Sequence, residues 1–568
     1  MRRPSLPSFP PDVAASWERV RRYAVPASMI ERVAERRLAG DWRGACTAAN
    51  IDITFDLAEV AAEHGRATAE TLEDDLRHMA PDLIRWHLPR VDSGGHTTLA
   101  PGRLVRLASY GAQGAGPILH LVTPGMVEGP QRSKLCFAPV PPPEESDVHQ
   151  EWAGLRPLWD VRRVDGLREW YGGADRIPFF HADGTPLIED ELPSEAPGPG
   201  DPAAHTEWVT RLHDRGELNT ALAATRVELS VDFSGLPDWA RDDPHALLAR
   251  LPLALTRWEP RLRELAAEGF GTAFRFPVTW RVCATLRLQG SGPLQLRLGD
   301  NSKPSDASEL TEASWQRPVD LDLLRSGRIG PDALHPLIRD ALFPARAAAE
   351  IPAGPPAPEP PAPVRVRCRG EWHEVRLRGD GLRAASHSED EQRRERALRA
   401  FGGPVTGCFA VERAWSEGTG RLPRGLREQR RELFLRVQHG DTAGVLALLD
   451  AGFDSRARDG RGRTLLHHLN KLDHEPLLSR LLAAGLGLED VDQGDRTPLH
   501  VAVGDLGSPA LVDALLAAGA RVDVLDQEEQ SLIDLIKRYR RTDLPALLER
   551  LMREHPELDH GWWDWMDD

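Results

Sequence analysis

The chain has 568 residues, enough for three or four domains, and 41% of them are hydrophobic, as expected of folded cores. Its 87 acidic residues outnumber 71 basic ones, and a formal net charge of −16 argues against a nucleic acid or an anionic membrane as the main partner. Because no apolar run approaches the length of a membrane span and no signal-like segment follows the basic N-terminus, we expect a cytoplasmic protein.

The first region, residues 13–92, has the apolar spacing of helices. In its last segment apolar side chains recur every three to four positions, at Leu72, Leu76, Met79, Leu83 and Trp86. A stripe of this kind more often packs into a core than lines a ligand pocket. We therefore assign it to the core of a helical region.

The next two regions combine strands with helices. Residues 93–186 contain three segments in which apolar and polar side chains alternate, the period typical of strands. Residues 205–345 alternate helical and strand patterns, with a predicted hairpin over residues 274–298. The clustering of strands favours an antiparallel α+β body over a doubly wound parallel sheet.

A proline-rich segment, residues 350–363, marks the clearest domain boundary, since proline-dense chain is stiff and extended. Beyond it, residues 364–425 have the pattern of two short strands and a charged helix. We expect them to form a small adaptor that packs against the domain that follows.

The C-terminal quarter contains an internal repeat. The segment TLLHHLNKLDHEPLLSRLLAAG runs from Thr464 to Gly485, and TPLHVAVGDLGSPALVDALLAAG runs from Thr497 to Gly519. The offset is 33 residues between the threonines and 34 between the glycines, a period typical of stacked structural repeats. The T-P-L-H pattern followed by L-L-x-x-G resembles the ankyrin repeat, over about residues 428–556.

The resemblance gives each motif residue a structural role. A threonine caps the first helix, a proline suits its first turn, and a glycine ends the second helix. In the resembled family the histidine hydrogen-bonds the backbone and joins neighbouring repeats. The residues assigned to this motif are Thr464, His467, Gly485, Thr497, Pro498, His500 and Gly519.

Weaker copies flank the two clear ones. The upstream copy keeps the apolar pattern that ends at Gly452, and the downstream copy begins at Ser531. A terminal repeat meets water on one face, so the four copies predict two inner repeats and two caps. The tryptophan-rich tail, residues 557–568, is predicted to pack on the last repeat. The fold class is therefore multidomain: an N-terminal helical plus α+β region, a proline-rich linker and an all-α ankyrin-like solenoid.

No local motif points to catalysis. The five cysteines stand singly without a C-x-x-C pair, which argues against a zinc ribbon or a disulfide framework. H-E-x-x-H and G-x-S-x-G are also missing. We assign no catalytic residue, no metal ligand and no cofactor.

The segments between repeats carry charge of one dominant sign. In the resembled family these are hairpin fingers that project toward partners: here residues 455–463 (the first finger, basic), 489–496 (the second, acidic) and 523–530 (the third, acidic). Such patterns mainly set partner choice and association rate. The predicted partner-binding residues are Arg456, Arg458, Arg461, Arg463, Asp492, Asp495, Asp526, Glu528 and Glu529.

Two functional hypotheses follow. The leading one is a non-enzymatic scaffold or adaptor that binds a protein partner through the repeats. The alternative is an enzyme or effector whose active site lies in residues 93–345 and which the repeats target, because a site assembled from distant residues leaves no local motif. The basic finger is also suited to dock on the chain's own acidic loops, residues 141–147 or 189–195.

Overall fold

The computed structural model describes residues 6, 8–93, 96–110, 116–139, 148–198, 200–233, 235–302, 306–346, 362–378, 381–384, 387–401, 405–418 and 420–561. The chain divides into two compact units, Met1–Thr123 with Ser133–Pro355 and Pro124–Arg132 with Pro356–Asp568. The division after Pro355 falls in the proline-rich segment, most of which lies outside the described residues. So do the acidic loop at 141–147 and the tail residues 562–568.

The first unit begins with helices that carry the predicted apolar stripe. They are α1 (Pro11–Tyr23), α2 (Ala27–Leu38), α3 (Trp42–Ala48), α4 (Leu57–His64), α5 (Arg66–His78) and α6 (Pro81–His87). Asp41 and Asp56 cap α3 and α4 by accepting backbone N–H groups at 2.8 and 2.7 Å. The stripe is buried in a large hydrophobic cluster that the helices share with the adjoining sheet.

That sheet has five strands in the order β1-β6-β5-β4-β7, and a separate hairpin joins β2 to β3. The strands are β1 (Ile51–Ile53), β2 (Arg90–Ser93), β3 (His96–Leu99), β4 (Arg103–Ser109), β5 (Ile118–Val122), β6 (Ser133–Ala138) and β7 (Val148–Glu151). β4, β5 and β6 are antiparallel, whereas β1 and β7 lie parallel to their neighbours at the edges. β1 comes from the region that the sequence predicts as helical, because three residues are too few to show a strand period.

The rest of the first unit surrounds a second five-stranded sheet, in the order β12-β9-β10-β11-β8. β9, β10 and β11 are antiparallel, and the short edge strands β8 and β12 are parallel to their neighbours. The strands are β8 (Val227–Val231), β9 (Ala273–Pro277), β10 (Val282–Arg287), β11 (Leu294–Asp300) and β12 (Ser308–Glu309). The helices are α7 (Leu167–Trp170), α8 (Pro202–Asp214), α9 (Leu218–Ala224), α10 (Asp238–Arg241), α11 (Pro244–Ala249), α12 (Leu255–Ala267), α13 (Glu312–Trp315), α14 (Val319–Arg325) and α15 (Pro336–Leu342).

A buried carboxylate joins four segments of this unit. Asp320 in α14 pairs with Arg21 of α1 and accepts hydrogen bonds from Trp86 Nε1 at 2.8 Å and Tyr171 Oη at 3.2 Å. Burial, reinforced by the Asp320 charge, raises the pKa of Tyr171 well above its ordinary value. Because a buried carboxylate is costly unless paired and hydrogen-bonded, these donors keep the four segments together.

The second unit combines a small sheet with a helical stack. The sheet consists of β13 (Val364–Cys368), β14 (Glu371–Arg378) and β15 (Gly381–Ala384), all antiparallel. The helices are α16 (Glu389–Ala400), α17 (Gly407–Ser416), α18 (Arg424–Gln438), α19 (Thr442–Asp450), α20 (Glu475–Ala483), α21 (Pro498–Gly504), α22 (Pro509–Ala517), α23 (Leu532–Arg538) and α24 (Pro545–Glu554). None of the described helices is long and apolar enough to cross a membrane.

Four consecutive repeats make up the stack. Repeat 1 is α18–α19, repeat 3 is α21–α22 and repeat 4 is α23–α24; in repeat 2 a 3-10 turn, Leu465–His468, precedes α20 in place of a first helix. One hydrophobic cluster runs from Val366 in the sheet to Leu551 in the last helix. The sheet, α17 and the stack therefore share a single core.

Candidate protein-binding surface

Each motif histidine joins its own repeat to the next one. His467 Nδ1 accepts the backbone N–H of Thr464 at 3.1 Å, so its proton lies on Nε2, which donates to the carbonyl of Arg496 at 3.0 Å. His500 makes the equivalent bonds: its Nδ1 accepts the backbone N–H of Thr497 at 3.4 Å, and its Nε2 donates to the carbonyl of Val524 at 3.2 Å. Burial lowers the pKa of both imidazoles, that of His467 to about 3. Both rings are therefore neutral structural links.

One aspartate shapes the turn of each finger. Asp459 accepts hydrogen bonds from the backbone N–H groups of Arg461 at 2.8 Å and Arg463 at 2.9 Å. Asp492 and Asp526 hold the same place in the second and third fingers, where they accept the amides of Gly494 and Arg496, and of Glu528 and Gln530. One oxygen of each carboxylate accepts these backbone N–H groups, which keeps the turns in one conformation.

The fingers are also joined to one another through their backbones. The N–H of Gln493 donates to the carbonyl of Arg461 at 2.9 Å, and the N–H of Gln527 donates to the carbonyl of Gly494 at 2.9 Å. The three fingers therefore form a continuous hydrogen-bonded ladder. Their tips hold fixed positions relative to one another.

Two of the residues predicted to meet a partner are buried inside the stack. Arg463 and Asp492 form an ion pair at 3.1 Å, and their side chains are 2% and 1% exposed. Arg463 also lies 3.5 Å from Asp505. A buried guanidinium needs a carboxylate beside it, and stacking brings one from the next finger. The prediction that Arg463 and Asp492 face a partner was therefore wrong.

The other predicted residues differ in their exposure and in the hydrogen bonds that they make within the stack. Arg456 donates to the carbonyl of Ala484 at the end of α20 at 2.9 Å, and the half-buried Arg458 donates to the carbonyls of Gly462 and Val491. Asp526 is half-buried at its turn. The predicted residues with exposed side chains are Arg456, Arg461, Asp495, Glu528 and Glu529.

A short segment from far upstream belongs to the second unit. In this segment, Pro124–Arg132, Glu128 Oε2 lies 2.7 Å from Lys471 Nζ, and Oε1 lies 3.4 Å from Arg461 Nη1. The Glu128 carbonyl accepts a hydrogen bond from Asn470 Nδ2 at 3.2 Å. Burial opposes ionisation of Glu128, but Lys471 and Arg461 outweigh it and lower its pKa to about 2.

The rest of the segment lies along the turns that follow the first helical element of repeats 2 and 3. Arg132 is 4.0 Å from Asp473 after repeat 2's 3-10 turn. Gly125 approaches Leu506 after α21 so closely that a Cβ there would stand 3.2 Å from its Cδ1. We call Arg461, Asn470 and Lys471 the Lys471 surface. It contacts both the carboxylate and the backbone of Glu128.

The sequence predicted a different acidic segment for the basic finger. The loop at 189–195 lies in the first unit, where Glu189 pairs with Arg211 of α8. The loop at 141–147 lies outside the described residues. The contact of Glu128 with Lys471 could not be predicted from the sequence. Glu128 is a single acidic residue in a segment rich in glycine and proline, and it lies more than 340 residues before Lys471 in the chain.

The first unit contains a cleft of about 730 Å³, lined by residues from 154–175, 202–206, 256–264 and 313–314. Arg261 lines it and is nearly fully buried. Its Nη1 donates to Glu264 at 3.0 Å, whereas Nη2 has no hydrogen-bond partner among the described residues. The cleft therefore combines room for a small molecule with a buried guanidinium N–H group in its wall that has no acceptor among the described residues.

A group of four side chains also escaped the sequence analysis. Cys368, His373, His387 and Cys408 place one donor atom each within 4.8 Å of all the others. The spacing C-x4-H-x13-H-x20-C has no close cysteine pair, which is the usual signal. The expectation that every cysteine stands apart was wrong for Cys368 and Cys408, because the sheet and α17 bring them together.

The buried imidazoles predict how the stability of the stack depends on pH. Below about pH 6.5 the imidazole of His467 becomes protonated in the unfolded chain. In the folded chain its pKa is near 3, so the same imidazole stays neutral. Stability is therefore complete above about pH 6.5 and falls as the pH drops toward 3, by about 1.4 kcal/mol per pH unit for one such group. We expect His467→Gln to lower the free energy of unfolding at pH 7 and to reduce its slope between pH 7 and 5.5.

Chemical unfolding of the full chain at several pH values measures this slope. The matched control is His474→Gln, which makes the same replacement at a partly exposed position in the same repeat. Equal slopes for the parent and His467→Gln would contradict a buried neutral His467.

Comparison with known families agrees with this geometry for one part of the chain. A family model described as ankyrin repeats (3 copies) matches residues 433–526, from α18 to the third finger. No curated protein matches the chain. Repeat 4 lies beyond the match. Its Ser531 and Asp534 nevertheless cap each other as Thr497 and His500 do in repeat 3: the N–H of Ser531 donates to the Asp534 carboxylate at 2.9 Å, and the N–H of Asp534 donates to the Ser531 hydroxyl. The C-terminal part of the chain thus contains ankyrin repeats, and the remainder is unrecognised.

Proposed function

We propose that this protein is a scaffold or adaptor whose ankyrin stack binds an extended segment of a partner protein by one of that segment's carboxylates, at the Lys471 surface. Ankyrin repeats in general mediate protein–protein interaction, and the resemblance carries that expectation here. The observation that supports binding through a carboxylate at the Lys471 surface is the arrangement around Glu128. A side-chain carboxylate and the adjoining backbone carbonyl are held together there.

The chemistry of the Lys471 surface favours a peptide over a simple anion. With the segment Pro124–Arg132 in place Lys471 is 6% exposed, so its ammonium group is largely withdrawn from water there and the Glu128 carboxylate compensates its charge. Asn470 supplies an amide N–H to a main-chain carbonyl, which an isolated carboxylate lacks. Arg461 adds a second cation at the exposed rim. Together these groups recognise an acidic residue within an extended chain.

The chain's own segment Pro124–Arg132 acts in this proposal as the resting occupant. An occupant on the same chain has a high effective concentration, so a partner must bind more tightly or make further contacts to replace it. The fingers beside the Lys471 surface offer such contacts through Arg456, Asp495, Glu528 and Glu529. Exposed pairs are worth only about 0–1 kcal/mol each, so these charges mainly steer association.

A peptide with the sequence of residues 124–132 tests the proposal. Fluorescence anisotropy should detect little binding to the parent chain, whose own segment competes, and clear binding to Glu128→Ala, in which the natural carboxylate is removed. Adding Lys471→Met to Glu128→Ala should abolish that binding, because the buried ammonium group that pairs with the carboxylate is gone.

The matched control peptide carries glutamine at the position of Glu128 and should bind neither chain. Circular dichroism verifies that each variant is folded. Equal binding of the acidic peptide to Glu128→Ala with and without Lys471→Met would refute the assignment of the Lys471 surface.

The cleft in the first unit favours a second candidate function, an enzyme or effector that acts on a small anionic molecule. Three arginines line the cleft beside four carboxylates, and Arg261 Nη2, buried in its wall, has no acceptor among the described residues. A phosphate or carboxylate would supply that acceptor once the guanidinium turns toward the cleft. A thermal-shift screen of small phosphates and carboxylates tests this on the parent and on Arg261→Met. A hit should stabilise the parent and the exposed control Arg263→Met, but not Arg261→Met. If no compound raises the melting temperature of Arg263→Met more than that of Arg261→Met, the cleft does not bind anions through Arg261.

A further inference from the structure

The four clustered side chains come from four separate places in the small sheet and its neighbouring helices. Cys368 ends β13, His373 lies in β14, His387 precedes α16, and Cys408 lies in the first turn of α17. Cys368, His387 and Cys408 are buried, at 2%, 7% and 0% exposure, and His373 is partly exposed. Two thiols and two imidazoles thus meet in a nearly closed space.

Two of the separations between donor atoms are close to those of a tetrahedral metal centre. His387 Nε2 lies 3.6 Å from Cys368 Sγ and 3.0 Å from His373 Nδ1. A tetrahedral zinc ion with bonds of about 2.3 Å to sulfur and about 2.0 Å to nitrogen separates its ligand atoms by roughly 3.3–3.8 Å. The two distances from His387 Nε2 fall within a few tenths of an ångström of those edges, and every other pair of donor atoms lies within 4.8 Å. The longer separations must shorten by up to about 1 Å when the side chains close around an ion.

The surroundings orient the ligands as a metal site requires. His387 presents Nε2 to the cluster, and its Nδ1 lies 3.5 Å from Glu391 Oε2. Ser388 and Glu391 cap each other at the start of α16, with bonds of 3.1 and 3.2 Å, which fixes that carboxylate. A carboxylate behind a metal-binding histidine fixes the ring and its tautomer.

The backbone also leaves room for the two sulfur atoms. Gly407 has φ of +62°, and a Cβ there would stand 2.4 Å from Cys368 Sγ. Only glycine lets α17 begin so close to the end of β13. Cys408 is therefore brought next to Cys368 by a turn that other residues would obstruct.

We propose that Cys368, His373, His387 and Cys408 form a structural zinc site of the Cys2His2 type. Two sulfur and two nitrogen donors in tetrahedral arrangement are the preferred ligands of zinc. Four protein ligands leave no open position for substrate, so the site is structural. It joins the sheet to α17, whose Trp415 donates to Asp454 at 2.8 Å, just before the first finger. The ion thereby fastens the sheet to the ankyrin stack.

Metal analysis of the full-length chain, purified without chelator from zinc-supplemented medium, tests the proposal. We expect close to one zinc ion per chain for the parent and almost none for Cys408→Ser or His387→Gln. The matched control Cys136→Ser removes a partly exposed cysteine of the first unit and should keep the zinc. Zinc removal by a chelator should lower the melting temperature of the parent, and added zinc should restore it.

Cobalt substitution of the parent gives a readout that does not depend on whether a variant folds. Co²⁺ in the site should show the intense visible bands of tetrahedral coordination together with a thiolate charge-transfer band. A parent chain that carries no zinc and gives no such spectrum overturns the proposal. Iron in place of zinc, or a Cys368–Cys408 disulfide found by mass spectrometry of the untreated chain, overturns it as well.

Discussion

The second unit depends on one constraint: a single repeat of about 33 residues cannot bury its own apolar face. The neighbouring repeat supplies the missing contacts, and the hydrophobic cluster therefore continues without interruption from Val366 to Leu551. The hydrogen bonds of His467 and His500 to the next finger set the register of this stacking. The finger ladder and the Lys471 surface exist only because successive repeats are held at that spacing.

The same stacking decides which charges are available for binding. Arg463 and Asp492 are buried together, and removing one member of such a pair leaves an uncompensated charge at a cost of about 3–5 kcal/mol. Asp459 and Asp526 each accept backbone amides in their own turns. The buried charges of the fingers therefore stabilise the stack. The exposed charges, with Lys471 and Asn470, are the ones that we propose for recognition.

Sequence reasoning succeeded where the signal is local. The 33-residue spacing and the helix cap at Thr497 can be recognised from short stretches of one sequence, whereas Thr464 begins a 3-10 turn in place of the expected first helix. It failed where partners are distant in the chain. Arg463 meets Asp492 from the next finger, and Glu128 meets Lys471 only after the chain has folded. The cysteines at 368 and 408 likewise lack a close-spaced motif, since the turn at Gly407 is what brings their sulfur atoms together.

The central claim is that the Lys471 surface holds an acidic segment, and hydrogen–deuterium exchange tests it most directly. Peptic fragments covering residues 124–132 should exchange slowly in the parent chain and much faster in Lys471→Met. Fragments from the fingers, whose amides are held by the ladder, should exchange alike in both. Equally fast exchange of residues 124–132 in the two proteins would contradict the account, because the segment would then not be bound through Lys471.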